Sequence, residues 1–127
     1  MSKTDYLEDN LINHVLRGIA YTVPPAIYVA LFTTAPTDSG GGVEVSGGSY
    51  ARQACTFAAP SAGTTSNDIP VVFPVATAGW GTVVAFALMD AVAAGNMLYF
   101  ANLNAARTVL TGDVLSFPIG QLQVVED

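Results

Sequence analysis

Thr82-Val83-Val84-Ala85-Phe86-Ala87-Leu88-Met89 is the most apolar stretch of the chain, introduced by Gly79-Trp80-Gly81 and ended by Asp90. Its length, its glycine and charge boundaries and its β-formers read as a strand rather than a helix. Strand geometry puts alternate side chains on opposite faces, so Val84, Phe86 and Leu88 share one face and Val83, Ala85 and Ala87 the other. An antiparallel strand with one wet face alternates apolar with polar residues, and this one has no polar face. Residues 26–34 repeat the feature: Ile27, Val29 and Leu31 oppose Tyr28, Ala30 and Phe32. Both strands need cover on both sides, from an N-terminal helix, a loop or a neighbouring subunit. One short helix covers only part of a sheet, and the remainder is expected to face a partner.

Outward from these two strands, glycine and proline divide the chain into further strands at residues 49–58, 69–75, 97–102, 107–111, 114–118 and 122–125. Pro70 and Pro74 cannot donate to a ladder and mark 69–75 as an edge strand. Gly112-Asp113, between 107–111 and 114–118, is a two-residue hairpin signal. Residues 35–48 form a glycine-rich loop and 60–68 a turn. Before the strands, residues 4–17 read as one amphipathic helix, with Leu7, Leu11 and Val15 four apart and Ile12 and Leu16 widening the stripe. Thr4 suits the N-cap, Asp5, Glu8 and Asp9 suit the positive end of the helix dipole, and Gly18 suits the stop. The predicted fold is mainly β: one domain over residues 1–127, with helix 4–17 packed on an antiparallel β-sandwich or jelly-roll-like body over 26–125. With no helices between strands, parallel α/β units are excluded.

The chain has 127 residues, of which 51% are hydrophobic and 11% charged. Soluble domains carry about 25% charged residues. A membrane would explain the deficit, but a spanning helix needs about 18–20 apolar residues and none of that length is present. The scattered aromatics do not form the girdles of a membrane barrel, and residues 1–10 are polar where a secretory signal would turn apolar. Burial against partners is the favoured explanation. The net charge is −6, and Lys3, Arg17, Arg52 and Arg107 are dispersed rather than gathered into the basic patch that nucleic acid requires. The expectation is no membrane and no nucleic acid.

Candidate chemistry is sparse. His14 is the lone histidine and falls on the helix; no G-x-S-x-G elbow accompanies it. Cys55, the lone cysteine, reads as a small core hydrophobe, because no basic neighbour on its face lowers its pKa. Gly40-Gly41-Gly42 and Gly47-Gly48 lack the lysine of a phosphate loop, since no lysine follows Lys3. One histidine and one cysteine do not make a zinc site, and no calcium-loop pattern occurs. Trp80 and Tyr99 could serve a sugar, although a tryptophan between glycines is more often a corner or core anchor. The expectation is a non-enzyme without catalytic residues, cofactor or metal. Its structural and contact residues are Leu7, Leu11, Val15, Tyr50, Arg52, Trp80, Phe86 and Tyr99.

Four segments carry a resemblance. They are Glu44-Val45-Ser46-Gly47-Gly48-Ser49-Tyr50-Ala51-Arg52-Gln53 with Phe57, then Phe73-Pro74-Val75-Ala76-Thr77-Ala78-Gly79-Trp80-Gly81-Thr82-Val83, then Gly95-Asn96-Met97-Leu98-Tyr99-Phe100, and the opening run from Tyr6 to Gly18 followed by Tyr28-Val29-Ala30-Leu31-Phe32-Thr33. Together they resemble, in order and over nearly the whole chain, a family of small tailed-bacteriophage virion proteins commonly labelled phage tail fibre protein. Chains of this size are also similar to capsid cement, or decoration, proteins. The resemblance implies an architectural virion protein, made in the host cytoplasm. The chain has no repeat, shaft or low-complexity spacer, which favours a cement protein on the capsid surface. Its partners would be the major capsid protein or further copies of itself, docked through the apolar face that carries Phe86. The alternatives are a tail or tail-fibre-associated protein with tail partners, and a carbohydrate-binding module.

Overall fold

The computed structural model describes residues 1–126. The chain forms β1 (Ser2–Lys3), α1 (Asp5–Leu16), β2 (Ile27–Thr34), β3 (Val43–Glu44), β4 (Gln53–Cys55) and β5 (Thr64–Ser66). It continues with β6 (Val71–Val72), β7 (Gly81–Met89), β8 (Met97–Val109), β9 (Ser116–Phe117) and β10 (Gln123–Val125). All described pairings are antiparallel. The main sheet runs β1-β8-β7-β2-β3, and β4 shares the outer edge of β2 with β3. Two small sheets, β5 with β10 and β6 with β9, supply the second layer. The result is a mainly antiparallel β fold of sandwich type with one N-terminal helix.

The core lies between the layers. Val29 and Leu31 of β2 and Val83, Phe86 and Leu88 of β7 point into it. They meet Val71, Phe73, Leu115, Leu122 and Val124 from the second layer. Aromatic rings tie the layers: Phe86 and Phe117 have centroids 5.5 Å apart, and Phe73 lies 6.4 Å from both Trp80 and Phe117. Such offset and edge contacts add to simple area burial.

The opposite face of β2 and β7 is closed within the chain, which corrects the expectation of an uncovered apolar face. Ala30, Phe32, Ala85, Ala87 and Met89 are all buried there, with Tyr28, Val84, Met97 and Phe100 packed around them. Three of the five buried residues are alanines, which leave little surface for a cover to hide. A second correction concerns β7. Val83, not Val84, joins Phe86 and Leu88 in the core. The register with β8 shifts between Val83 and Ala85: β8 passes from Asn102 to Arg107 where β7 advances two residues. Bulges of this kind reverse the facing of the residues beyond them. Phe86 is therefore an interior residue, 7% exposed against Phe117, and not part of a docking face.

Several expected strands are shorter or paired differently. Of residues 49–58 only Gln53–Cys55 pairs in a strand, and Ser49 at the head of the stretch turns the chain at φ +66°. Of 69–75 only Val71–Val72 remains, and it pairs with β9 alone. The hairpin expected around Gly112-Asp113 forms its turn, with Leu110 N–H donating to the Asp113 carboxylate. However, the chain beyond it crosses to the second layer, where β9 pairs with β6 rather than with β8. Residues 97–102 and 107–111 are largely one long strand, β8.

Candidate functional site

Helix α1 is pinned at one end and bare at the other. Thr4 caps it: its Oγ1 accepts from Leu7 N–H at 3.4 Å and donates to the Met97 carbonyl at 2.6 Å, while Thr4 N–H bonds to the Leu98 carbonyl. Leu7 is the one buried residue of the helix. One turn on, Leu11 is half-buried, and beyond it Ile12, Val15 and Leu16 stand exposed, the last two at 72% and 77%. Gly18 turns the chain at φ +67°, and Ile19 N–H returns to the Asn13 carbonyl. The segment that follows exposes Ile19 and, at 78%, Val23. The stripe that sequence periodicity assigned to packing thus packs only at Leu7 and, in part, Leu11. Val15 and its neighbours form an apolar arm facing solvent.

Beside the start of the helix, Arg52 and Glu44 build a rigid corner. Arg52 Nε and Nη2 donate to the two oxygens of the Glu44 carboxylate at 2.9 and 2.8 Å, a bidentate pair. Its Nη1 donates to the Ala91 and Ala94 carbonyls at 2.9 and 2.8 Å. The Tyr50 hydroxyl donates to Glu44 at 2.6 Å and accepts from Leu31 N–H at 3.0 Å. One guanidinium thereby ties β3 to the turn between β7 and β8. Burial alone would raise the Glu44 pKa. The hydrogen bonds from Arg52 and Tyr50, with the charge of Arg52, outweigh it and hold the carboxyl below its ordinary value. Burial and then the Glu44 hydrogen bond raise the Tyr50 phenol. The Arg52 guanidinium is raised by its hydrogen bond to Glu44.

Between the helix start, the glycine loop and that turn lies a cleft of about 580 Å³. Phe32, Met89 and Met97 line it together with Asp5, Tyr6, Asp38, Asn96 and Gly40–Gly42. Sequence reasoning did not single it out, because its parts come from four separate segments. The readable signal was the pairing of Glu44 with Arg52, an acid and a base within one quoted motif.

The remaining expected residues are architectural. Trp80 is 5% exposed, and its Nε1 donates to the Gly48 carbonyl at 2.8 Å, so it is a core anchor with no face for a sugar. Gly48 adopts φ +56°, and a Cβ there would lie 2.7 Å from the Ala78 carbonyl oxygen. The glycine is therefore required by the close approach. Tyr99 is half-buried and donates to Glu126, which also receives Lys3 at 2.7 Å. Burial pushes the Cys55 thiol up to about 11, with the charge of Asp68 adding to it, which opposes thiolate formation. His14 is exposed and accepts from Tyr21 N–H. Among the described residues no three metal-ligating side chains gather, and no helix is long and apolar enough to cross a membrane.

The segments that carried the resemblance are now seen to form joints: Gly48 with Trp80, Tyr50 with Glu44 and Phe73, Arg52 with the turn that leads to Asn96. No curated protein matches the chain. A family model described as Podophage GP4 fiber I protein gp80 matches residues 2–125. That span includes every joint above, the helix and the ten described strands, and the chain therefore belongs to this family of phage fibre-type virion proteins.

Proposed function

We propose that the chain is a non-enzymatic structural module of a podophage tail, associated with the fibre and seated by its N-terminal arm on a neighbouring tail protein or a sister copy. The observation that carries this reading is the arm itself. Ile12, Val15 and Leu16 are exposed on a helix whose other end is fixed to the sheet, and Ile19 and Val23 are exposed in the segment that follows it. Fully burying one aliphatic side chain contributes about 1.5–3 kcal/mol. Five half-to-mostly exposed ones would contribute roughly 5 kcal/mol before association costs are subtracted. Such a contact is weak singly and becomes useful when repeated in an assembly. The fibre description of the family favours a tail location over the capsid cement role that the compactness of the chain suggests.

The test separates heads from tails and introduces Val15→Asp with Leu16→Asp. The expected result is wild-type protein in the tail fraction at low copy number, and a doubly substituted protein that folds normally and fails to incorporate. Recovery in heads at a copy number comparable with the capsid protein, or normal incorporation of the folded variant, would overturn the proposal.

A further inference from the structure

An arm that docks needs a receptor, and the far end of β8 carries a surface that suits it. The edge partner β1 covers only Tyr99 and Phe100. Beyond them β8 passes from Asn102 to Arg107 where β7 passes only from Ala85 back to Val83, so residues 103–106 stand out of the ladder. This bulge and the β9 segment line a hollow of about 300 Å³, room for a few side chains rather than for a large ligand. Half-buried Leu103 and Phe117 and exposed Pro118 give it an apolar wall, and exposed Asn104, Arg107 and Gln121 stand around it. No carboxylate lines it.

Backbone and charge select the occupant. A bulge breaks the row of edge N–H and C=O groups on which a further strand would pair, whereas a helix keeps its backbone hydrogen bonds within itself. Of the four basic side chains, Lys3 is bonded to Glu126, Arg17 to Asn13 and Arg52 to Glu44. Arg107 has no hydrogen bond or ion pair among the described residues, so this hollow presents an uncommitted cation in a chain of net charge −6. The exposed face of α1 has the matching order. Glu8, Ile12, Val15 and Leu16 are all exposed and share one face by helical spacing, with Asp9 beside Glu8. Acids hold one end of that face and aliphatics the other. Within one chain the two surfaces stay apart. Thr4 fixes the helix start at Met97 and Leu98, while Arg107 and Met97 pair with Val83 and Met89, which lie roughly 20 Å apart along β7. Glu8 is only about 6 Å along the helix from Thr4.

We propose that this hollow receives α1 of a second copy of the chain, with Glu8 or Asp9 meeting Arg107 while Ile12, Val15 and Leu16 pack on Leu103, Phe117 and Pro118. The inference rests on the reading of the arm as a docking element and names its receptor. The contact joins two different patches, so each copy keeps an arm or a hollow for the next, and a ring forms where the rotation closes.

The test is a dilution series of the ¹⁵N-labelled full chain, followed by amide shifts. The expected result is concentration-dependent shifts at two places together, residues 8–16 and residues 103–107 with Gln121, at a Kd of about 0.1–1 mM. Arg107→Glu, and separately Glu8→Lys with Asp9→Lys, should each weaken self-association at least fivefold, as like charges then face each other. An equimolar mixture of the two variants should recover it, because the acidic helix of the first meets the unaltered Arg107 of the second. The substituted residues are exposed and lie on different elements, so misfolding of one variant leaves the other as the test. Absence of shifts at about 1 mM, shifts at the arm without the bulge, unchanged association in a folded charge variant, or a mixture of folded variants that stays dissociated would each overturn the proposal. The arm reading fails separately: if the Val15→Asp, Leu16→Asp protein is lost from tails while the wild type does not self-associate, the arm docks on another tail protein and only the hollow is ruled out as its receptor.

Discussion

Arg52 shows how much of this fold depends on single polar residues. Its side chain is 8% exposed, and it serves a carboxylate and two carbonyls at once. Arg52→Ala leaves Glu44 half-buried without its countercharge and two carbonyls without donors. With Glu44 partly solvated, the expected cost is about 2–3 kcal/mol, read from urea unfolding. Arg52→Lys should recover a minor part of it, because an ammonium cannot reproduce the fork. A loss below about 0.5 kcal/mol in the alanine variant would mean that the corner is not structural. Asn67 plays the same kind of part in the second layer. It is 1% exposed, donates to the Ile69 and Pro118 carbonyls and accepts from Leu122 N–H. Arg52 and Trp80 were legible as structural residues, since each sits inside a strongly patterned segment. Asn67 was not, because an asparagine in a turn looks the same in sequence whether it faces water or ties together three neighbouring segments.

At the level of elements, length decided what could be read. Helix α1 and strands β2 and β7 span eight to twelve residues, enough for a period to show against noise. Strands β1, β3 and β5 span two or three, too few to carry one. The doubly apolar character of β2 and β7 was read correctly, but the second face is not left open: Ala30, Ala85 and Ala87 are small, and Tyr28, Val84, Met97 and Phe100 pack around it within the chain. The helix divides along its length. Leu7→Ala should cost about 2–4 kcal/mol, as a large-to-small change in a packed site. Val15→Ala, two turns further along the same stripe but 72% exposed, should stay within about 0.5 kcal/mol. Thermal melts of the two variants check the contrast, and equal effects would mean that the exposed half of the helix packs in solution.

For the molecule as a whole, acid is the informative perturbation. Burial opposes ionisation of Glu44 and Glu126, but hydrogen bonds from Arg52 and Tyr50, and from Lys3 and Tyr99, more than compensate, and both carboxyls titrate below the ordinary value of 4.5. A depressed folded-state pKa stabilises above the unfolded-state pKa, and that stabilisation is lost as pH falls through the folded value. Stability should therefore be flat from neutral pH down to about 4.5 and fall below it. Glu44→Gln and Glu126→Gln should each be less stable at pH 7 and show a shallower acid slope. Chemical denaturation across pH 3–7 checks this, and an unchanged slope in both variants would exclude these carboxyls as its source.

The Lys3–Glu126 contact bridges residues 123 positions apart, and β1 pairs with β8 beside it. Both ends of the described chain thus leave the body at one edge. A circular permutant is a natural consequence: a short flexible linker could splice the ends, with new ones opened in the exposed stretch near Ala20, as surface termini that lie close together allow. Such a rearrangement would hang α1 from the other end of the polypeptide without moving it, so the arm could be fused, labelled or deleted while the β body stays as it is.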